Sequence, residues 1–334
     1  VSSNLDLGHF YYEVSKHFGY EEEEGKFMGY QSYGSVNNDL YNELQKGVTA
    51  KTIESIVQNK DNAATCQKFF EDSYAELVQK YKASHMVFTG GTALNVVNNY
   101  KIQKKFWDCD VYHDPLCADA GNSIGVNYFF QSKAKPLKNL FIGDTITVDE
   151  RLHEGEKIKF VESDQVNKLL LQGEVVGIIN GRAEAGPRAL GNRSLLLDPR
   201  LPNAKDKMNE IKQRESFRPF ACSILQNFAD DYFQMLSNSP NMMYAVDAKD
   251  LAKEYIPSVV HVDNTCRVQT VTKEYNPFLY NILNYHTIPA LMNTSFNLAG
   301  LPIVHSYGDV LWTLRNSPLK YVYFPETRQM LIGK

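Results

Sequence analysis

The sequence predicts an α/β protein of two domains. Three observations carry that expectation: short apolar runs end in glycine- or asparagine-rich turns, helical periodicity fills the stretches between them, and the pattern loosens once, in mid-chain. At 334 residues the chain is long enough for two ordinary domains. With 43% hydrophobic residues, among them 20 Tyr and 18 Phe, packed cores are available to both.

Taken in order, residues 1–85 read as mostly helical over 10–17, 39–45 and 66–82. Phe69, Tyr74, Leu77, Val78 and Tyr81 recur there at three- and four-residue spacing. The acidic run 21–24 reads as a solvated turn. The apolar segment 85–88 enters Thr89-Gly90-Gly91-Thr92, and 93–97 looks helical, giving strand, glycine turn, helix start. A second apolar segment, 124–130, follows Asp119-Ala120-Gly121. Between Gln131 and Glu150 the sequence turns Lys-rich around Pro136, and the domain boundary is expected there, leaving domains over 1–140 and 150–334. Beyond it, 174–180 (EVVGIIN) is a buried-strand pattern, 205–212 a short helix, 287–292 a strand running into Asn293-Thr294-Ser295-Phe296-Asn297, and 321–324 the closing strand.

A formal net charge of −4 gives no case for a general nucleic-acid or membrane-surface binder, and no apolar run approaches membrane-spanning length. Cys66, Cys109, Cys117, Cys222 and Cys266 are too scattered for a disulfide framework and form no CxxC, which suits a reduced, cytoplasmic protein. The opening stretch 1–8 has neither the basic start nor the apolar core of a signal peptide, yet the first residue is Val1 rather than Met. A longer native chain is the expectation.

Charge is not spread evenly. Residues 181–220 hold nine basic residues (Arg182, Arg188, Arg193, Arg200, Lys205, Lys207, Lys212, Arg214, Arg218) against five acids (Glu184, Asp198, Asp206, Glu210, Glu215). A surface helix with internal ion pairs would account for 205–215 alone. The arginines around Gly186-Pro187, however, follow a buried strand, where α/β sheets place ligands, and guanidinium groups suit bidentate contact with phosphate or carboxylate. An anionic ligand is expected there. Ser295 and Asn297 would present hydroxyl and amide groups just after another strand, although capping is the common use of such residues. Gly90 and Gly91 would let backbone amides approach phosphate ahead of Asn95 and a helix start, with a plain tight turn as the alternative. GxxxxGK[ST] is absent.

Together, INGRAEAGPRALGNRSLLLDPR (179–200), KMNEIKQRESFRPFACSIL (207–225), HVDNTCRVQTV (261–271) and IPALMNTSFNLAGLPIV (288–304) resemble the C-terminal domain of the O-carbamoyltransferases, which act on nodulation factors, cephamycins and aminoglycosides. LGHFYYEVSKHFGY, EGKFMGYQSYG, FTGGTALNVV and ADAGNSIG resemble the preceding domain, so the likeness runs through essentially the whole chain in motif order. It implies part of an ASKHA-type (actin-like ATPase) domain over 1–140, followed by a YrdC-like α/β domain over 150–334. KQRESFRP, with Lys212, Arg214 and Pro219, is similar to the Lys-x-Arg signature of the YrdC-like domain. NTSFN is similar to its Ser-Ala-Asn motif, with Phe296 in place of Ala.

The resemblance implies that ATP, with Mg2+, and carbamoyl phosphate meet in one cleft. Arg182, Arg188, Lys212 and Arg214 would serve catalysis, with Arg218, Arg267, Asn293, Ser295, Asn297, Gly90, Gly91 and Asn95 as binding residues. Carbamoyl-adenylate formed there would pass its carbamoyl group to a hydroxyl of a small molecule, sugar or nucleotide. The family also uses a divalent metal, iron in the best-known cases, in its ASKHA-type domain. Only Asp119, in ADAG, matches a family ligand, and no HxxxH occurs among the eight histidines. The metal-binding histidines would lie in a missing N-terminal segment, joined in cis or supplied as a separate chain; a homodimer is compatible with this reading. The hydrogenase-maturation carbamoyltransferases carry both modules in the opposite order with CxxC zinc fingers, which this chain lacks. A tRNA threonylcarbamoylation protein would not carry GRxExGPRALGNRS. A non-catalytic nucleotide-binding protein is the alternative from another class.

Overall fold

The computed structural model describes residues 5–131, 135–149, 152–153 and 155–333. Val1 and Glu150, on which the reading of the N-terminus and the domain boundary draws, lie outside the described residues. The chain forms two compact units, Val1–Ala118 and Asp119–Lys334. The architecture is mixed α/β.

In the first unit, helices Leu7–His17 and Lys60–Lys80 pack through an aromatic core. Phe10 meets Phe69 edge-on at 5.2 Å between ring centroids, Tyr11 lies 4.9 Å from Phe70, and Phe27 closes against Tyr11 at 5.4 Å. A buried polar chain crosses this core. The Tyr11 hydroxyl donates to Gln67 Oε1 at 2.7 Å, and Gln67 Nε2 donates to Glu71 Oε1 at 2.7 Å. Lys101 closes the chain as the ion-pair partner of Glu71. Each end of the Lys60–Lys80 helix is accounted for: the Asn59 side chain caps Asn62 N–H, and Lys80 lies in the last turn.

Two short parallel strands, His85–Phe88 and Asp110–His113, complete this unit. Their inner ends are ordered by stacking: His113, 2% exposed, lies face to face with Phe88 at 4.8 Å and 17° between planes. Burial pushes its imidazole pKa down to about 3.

The second unit is built on a nine-stranded mixed sheet, in the order Lys157–Phe160, Gln329–Ile332, Tyr321–Phe324, Val176–Ile179, Arg193–Leu197, Ala290–Ser295, Ala221–Leu225, Thr265–Val271 and Ala245–Asp247. Neighbours are antiparallel except for two parallel pairs, Tyr321–Phe324 with Val176–Ile179 and Thr265–Val271 with Ala221–Leu225. The central strands are buried along their whole length, because both faces are covered. On one face Val176, Ile178, Leu196, Leu225 and Leu291 pack against Val166, Leu169 and Leu170 of helix Asp164–Leu171 and Leu279, Ile282 and Leu283 of helix Pro277–Tyr285. His286, whose ring lies 3.4 Å from Asp198 and 3.2 Å from Asn167, ties those two helices to the end of strand Arg193–Leu197. The expected strand 321–324 is present but does not close the sheet, since the chain turns and adds Gln329–Ile332 beside it.

No helix among the described residues is long and apolar enough to cross a membrane. All five cysteines are free thiols.

The buried His113 makes the first unit sensitive to acid. It stays neutral in the folded state while the unfolded chain takes up a proton below its ordinary pKa of about 6.5. Stability is therefore whole above that value and falls as pH drops toward 3. At pH 5 the loss should be about 2 kcal/mol. His113→Phe keeps a ring against Phe88 and has nothing to titrate, so its denaturant midpoint should fall less between pH 7.5 and 5.0. Equal losses in both proteins would contradict this assignment.

Candidate functional site

The sequence builds the site from three loops at the sheet. The first leaves strand Val176–Ile179 at Asn180, makes the short strand Arg182–Glu184 against Phe141–Thr145, and returns through GPRALGN into strand Arg193–Leu197. Gly186 and Gly191 bracket the turn with φ of +91° and +111°, conformations that glycine adopts without steric cost. Arg193, fully buried, spends its guanidinium on the fold. Nη1 donates to the carbonyls of Asn180 and Asn192 at 3.0 and 2.9 Å, and Nη2 to those of Asp144 and Gly181 at 2.9 Å.

The second element is helix Ala204–Lys212, which stops because Gln213 turns left-handed at φ +52°. The chain reverses there and throws Arg214 back over the helix end. Its Nε donates to Asn209 Oδ1 at 3.0 Å, and its guanidinium lies 4.0 Å from the centre of the Phe220 ring.

The third is strand Ala290–Ser295 and the turn after it. Lys212, 3% exposed, reaches this turn: Nζ donates to the Ser295 carbonyl at 2.6 Å, to Ser295 Oγ at 3.1 Å, and to Asn297 Oδ1. Ser295 Oγ in turn donates to Asn297 Oδ1 at 2.6 Å. Phe296 anchors the turn. Its ring lies over Gly177, where an added Cβ would come within 2.7 Å of Cε1. The absent side chain at Gly177 makes room for the Phe that replaces Ala in the motif.

These loops bring five cations together. Arg267, on strand Thr265–Val271, has its pKa pushed well down by burial and by the charges of Arg188, Arg214 and Arg218. Lys212 is pushed down by burial and by Arg214 and Arg218. Arg214 is lowered by burial and Arg218, against a weaker opposing pull from Glu215. Guanidinium groups keep their protons under such stress, whereas a buried ammonium can give one up. Mutual repulsion in a low-dielectric pocket is what an anion relieves.

Not every expected residue joins this cluster. Arg182 turns its guanidinium onto backbone carbonyls, donating to Gly143 at 2.8 Å and to Ile142. Asn293 lies fully buried in the sheet, where Nδ2 donates to Ser223 Oγ at 2.8 Å and to Gln269 Oε1 at 3.3 Å. In the first unit Gly90 takes φ +85° and, like Gly91, would meet nothing with an added Cβ, so the face of that turn is open. Asn95 caps helix Val96–Lys105 by accepting from Asn98 N–H at 3.0 Å, and bonds Gln67.

Asp119 is the exposed first residue of helix Asp119–Phe130. Among the described residues no three His, Cys, Asp or Glu side chains gather as a metal site would need. The residues present do not fit a bound iron, so no chemical step is routed through one. Glu184, Gln269 and Arg193 were not among the expected site residues. Glu184 and Arg193 were marked in the sequence only as members of GRxExGPRALGNRS, and Gln269 only as part of HVDNTCRVQTV.

A carbamoyltransferase N-terminus family model matches residues 46–127, and a carbamoyltransferase C-terminus model matches residues 167–330. The chain belongs to the carbamoyltransferase family. It is 30% identical to nodulation protein NolNO of Sinorhizobium fredii over 94% of this chain and 54% of that protein. Protein MJ1051 of Methanocaldococcus jannaschii is 32% identical over 91% of this chain and 68% of its own length, and nodulation protein NolO of Bradyrhizobium diazoefficiens 29% identical over 94% and 67%. The chain spans 54% and 60% of the lengths of two of these curated relatives, NolNO and protein MJ1058 of M. jannaschii. Among solved structures, HypF of T. kodakarensis aligns at 16% identity with a TM-score of 0.35, covering 51% of this chain and 24% of that one, too loose a likeness to carry an argument.

Lys212 gives the cationic cluster a pH signature. Its depressed pKa means that a bound anion, by stabilising the ammonium, raises it again. Pyrophosphate binding should therefore take up protons and weaken as pH rises through the pKa of the free site. Titration calorimetry in buffers of different ionisation enthalpy reads the uptake directly. Lys212→Met should abolish it and weaken binding about tenfold or more. Equal proton uptake in both proteins would show that Lys212 is not the group that titrates.

Proposed function

We propose that this carbamoyltransferase-family chain forms carbamoyl-adenylate from carbamoyl phosphate and ATP in its second unit, as the activating half of an O-carbamoyltransferase. The observation that carries the reading is the convergence of Arg188, Lys212, Arg214, Arg218 and Arg267 beside Ser295 and Asn297. Two polyanionic substrates meeting in one place need such a concentration of fixed charge, and few other ligands of a chain with net charge −4 would.

In this reading carbamoyl phosphate loses its phosphate to water, leaving carbamate. A carbamate oxygen attacks the α-phosphorus of ATP, the α–β bridging P–O bond breaks, and pyrophosphate leaves. Arg188, Arg214 and Arg267 stabilise charge on the equatorial and departing oxygens, and do so without reorganisation because the scaffold already holds them. Lys212, fixed by Ser295 and Asn297, supplies a positive point charge at the floor. Transfer then breaks the carbamoyl carbon–oxygen bond to AMP as an acceptor hydroxyl attacks that carbon and loses its proton. The acceptor class is a small-molecule, sugar or nucleotide hydroxyl. Gly90 and Gly91, at an open turn of the first unit, are the residues proposed to meet a phosphate there.

The test is carbamoyl phosphate-dependent exchange of labelled pyrophosphate into ATP. The chain should catalyse it, and Arg267→Met and Arg214→Ala should each slow it ten- to a hundredfold, as expected for charge-assisted phosphate contacts of about 1.5–3 kcal/mol. ATP binding with no exchange would instead support a nucleotide-binding role without catalysis.

A further inference from the structure

The loop that carries Arg188 is held on both sides of Leu190. Leu190 N–H donates to Glu184 Oε1 at 2.6 Å, while the Leu190 carbonyl accepts from Gln269 Nε2 at 2.9 Å and Asn276 Nδ2 at 3.3 Å. The same Glu184 oxygen accepts from Asn192 N–H at 2.8 Å and Arg193 N–H at 3.2 Å. One carboxylate thus gathers three backbone donors across the turn that Gly186 and Gly191 make possible. Gln269 belongs to the fully buried set in which Ser223 Oγ donates to Gln269 Oε1 at 2.6 Å and Asn293 Nδ2 bonds both. It stands two residues from Arg267 on one strand, and alternation puts the two on the same face of the sheet. The clamp therefore fastens the Arg188 loop over the face from which Arg267 projects, and the charge of Arg188 is felt at Arg267.

We infer that Glu184 is a positioning residue: its carboxylate, through Leu190, Asn192 and Arg193, sets the placement of Arg188 in the anion site, and Gln269 and Asn276 brace the Leu190 carbonyl from the other side. This rests on the anion-site reading above. The oxygen that makes the clamp is an acceptor whose position matters, and its negative charge works against the site. Geometry and charge therefore predict opposite outcomes. Glu184→Gln keeps an oxygen at the same reach and removes the charge. Glu184→Asp keeps the charge and withdraws the oxygen by one methylene. Glu184→Ala removes both.

Inorganic pyrophosphate binding to the whole chain, measured by titration calorimetry beside thermal unfolding, separates these. Positioning predicts that Glu184→Gln binds within about threefold of the parent or tighter, whereas Glu184→Asp and Glu184→Ala bind about tenfold more weakly or worse. An electrostatic role alone predicts that both neutral variants bind more tightly and Asp like the parent. If Glu184→Ala does not fold, Glu184→Asp against the parent decides: Asp binding as tightly as the parent overturns the inference. Arg188→Ala is run in parallel. Parent-like binding by Arg188→Ala refutes the anion-site reading itself. A weakened Arg188→Ala beside a parent-like Glu184→Ala refutes only the positioning role.

Discussion

Like charges held close together in a poorly solvated place repel, and the second unit is organised around containing that repulsion. Arg188, Lys212, Arg214, Arg218 and Arg267 come from three separated stretches of chain, and Arg188, Arg214 and Arg218 depress the proton affinity of their neighbours. Left to flexible loops they would splay into solvent. They stay because each root is fastened: Lys212 by Ser295 and Asn297, Arg214 by Asn209 and the Phe220 face, and Arg267 by its place in a buried strand. The strain is offset by the apolar core of the sheet, where Val176, Ile178, Leu196, Leu225 and Leu291 pack under the covering helices.

Seen this way, the buried polar groups divide by task. Arg193 sits beside the cationic cluster in sequence but faces four carbonyl oxygens, which take up both of its Nη groups and leave Nε without a partner. Ser223, Gln269 and Asn293 form a polar layer inside an otherwise apolar sheet. Such a layer is costly unless satisfied, and here it reaches out to a loop carbonyl rather than closing on itself. A core that needed only stability would have used Leu or Val at these positions. Its polar layer is spent on holding a loop still.

What was legible in the sequence follows the range of the interactions involved. The helix ending at Lys212 and the strand before Gly181 show in local pattern, and so does the density of arginine between them. The α/β architecture is the one that pattern predicts. Asn293 reads locally as part of a polar turn, yet it lies within strand Ala290–Ser295, because its partners Ser223 and Gln269 arrive from strands distant in sequence. Asn95 reads as a ligand group and is held as a helix cap in a network with Gln67. A count of basic residues likewise cannot separate Arg193, which is consumed by backbone carbonyls, from Arg188 and Arg267.

The first unit presents the opposite balance. One polar chain in its interior runs from Tyr11 through Gln67 and Glu71 to Lys101, while Val87, Tyr112 and Trp107 on and beside its two strands are exposed. In the second unit, helix Asp119–Phe130 shows the same character, with Phe129 and Phe130 more than four-fifths exposed. Single exposed apolar residues need no explanation, but aromatic side chains standing free at this density are the surfaces that proteins cover. The relatives are longer than this chain, and among the described residues no three His, Cys, Asp or Glu side chains gather as a metal site would need. The cationic cluster, by contrast, draws on residues of the second unit alone, and its fastenings are internal to that unit.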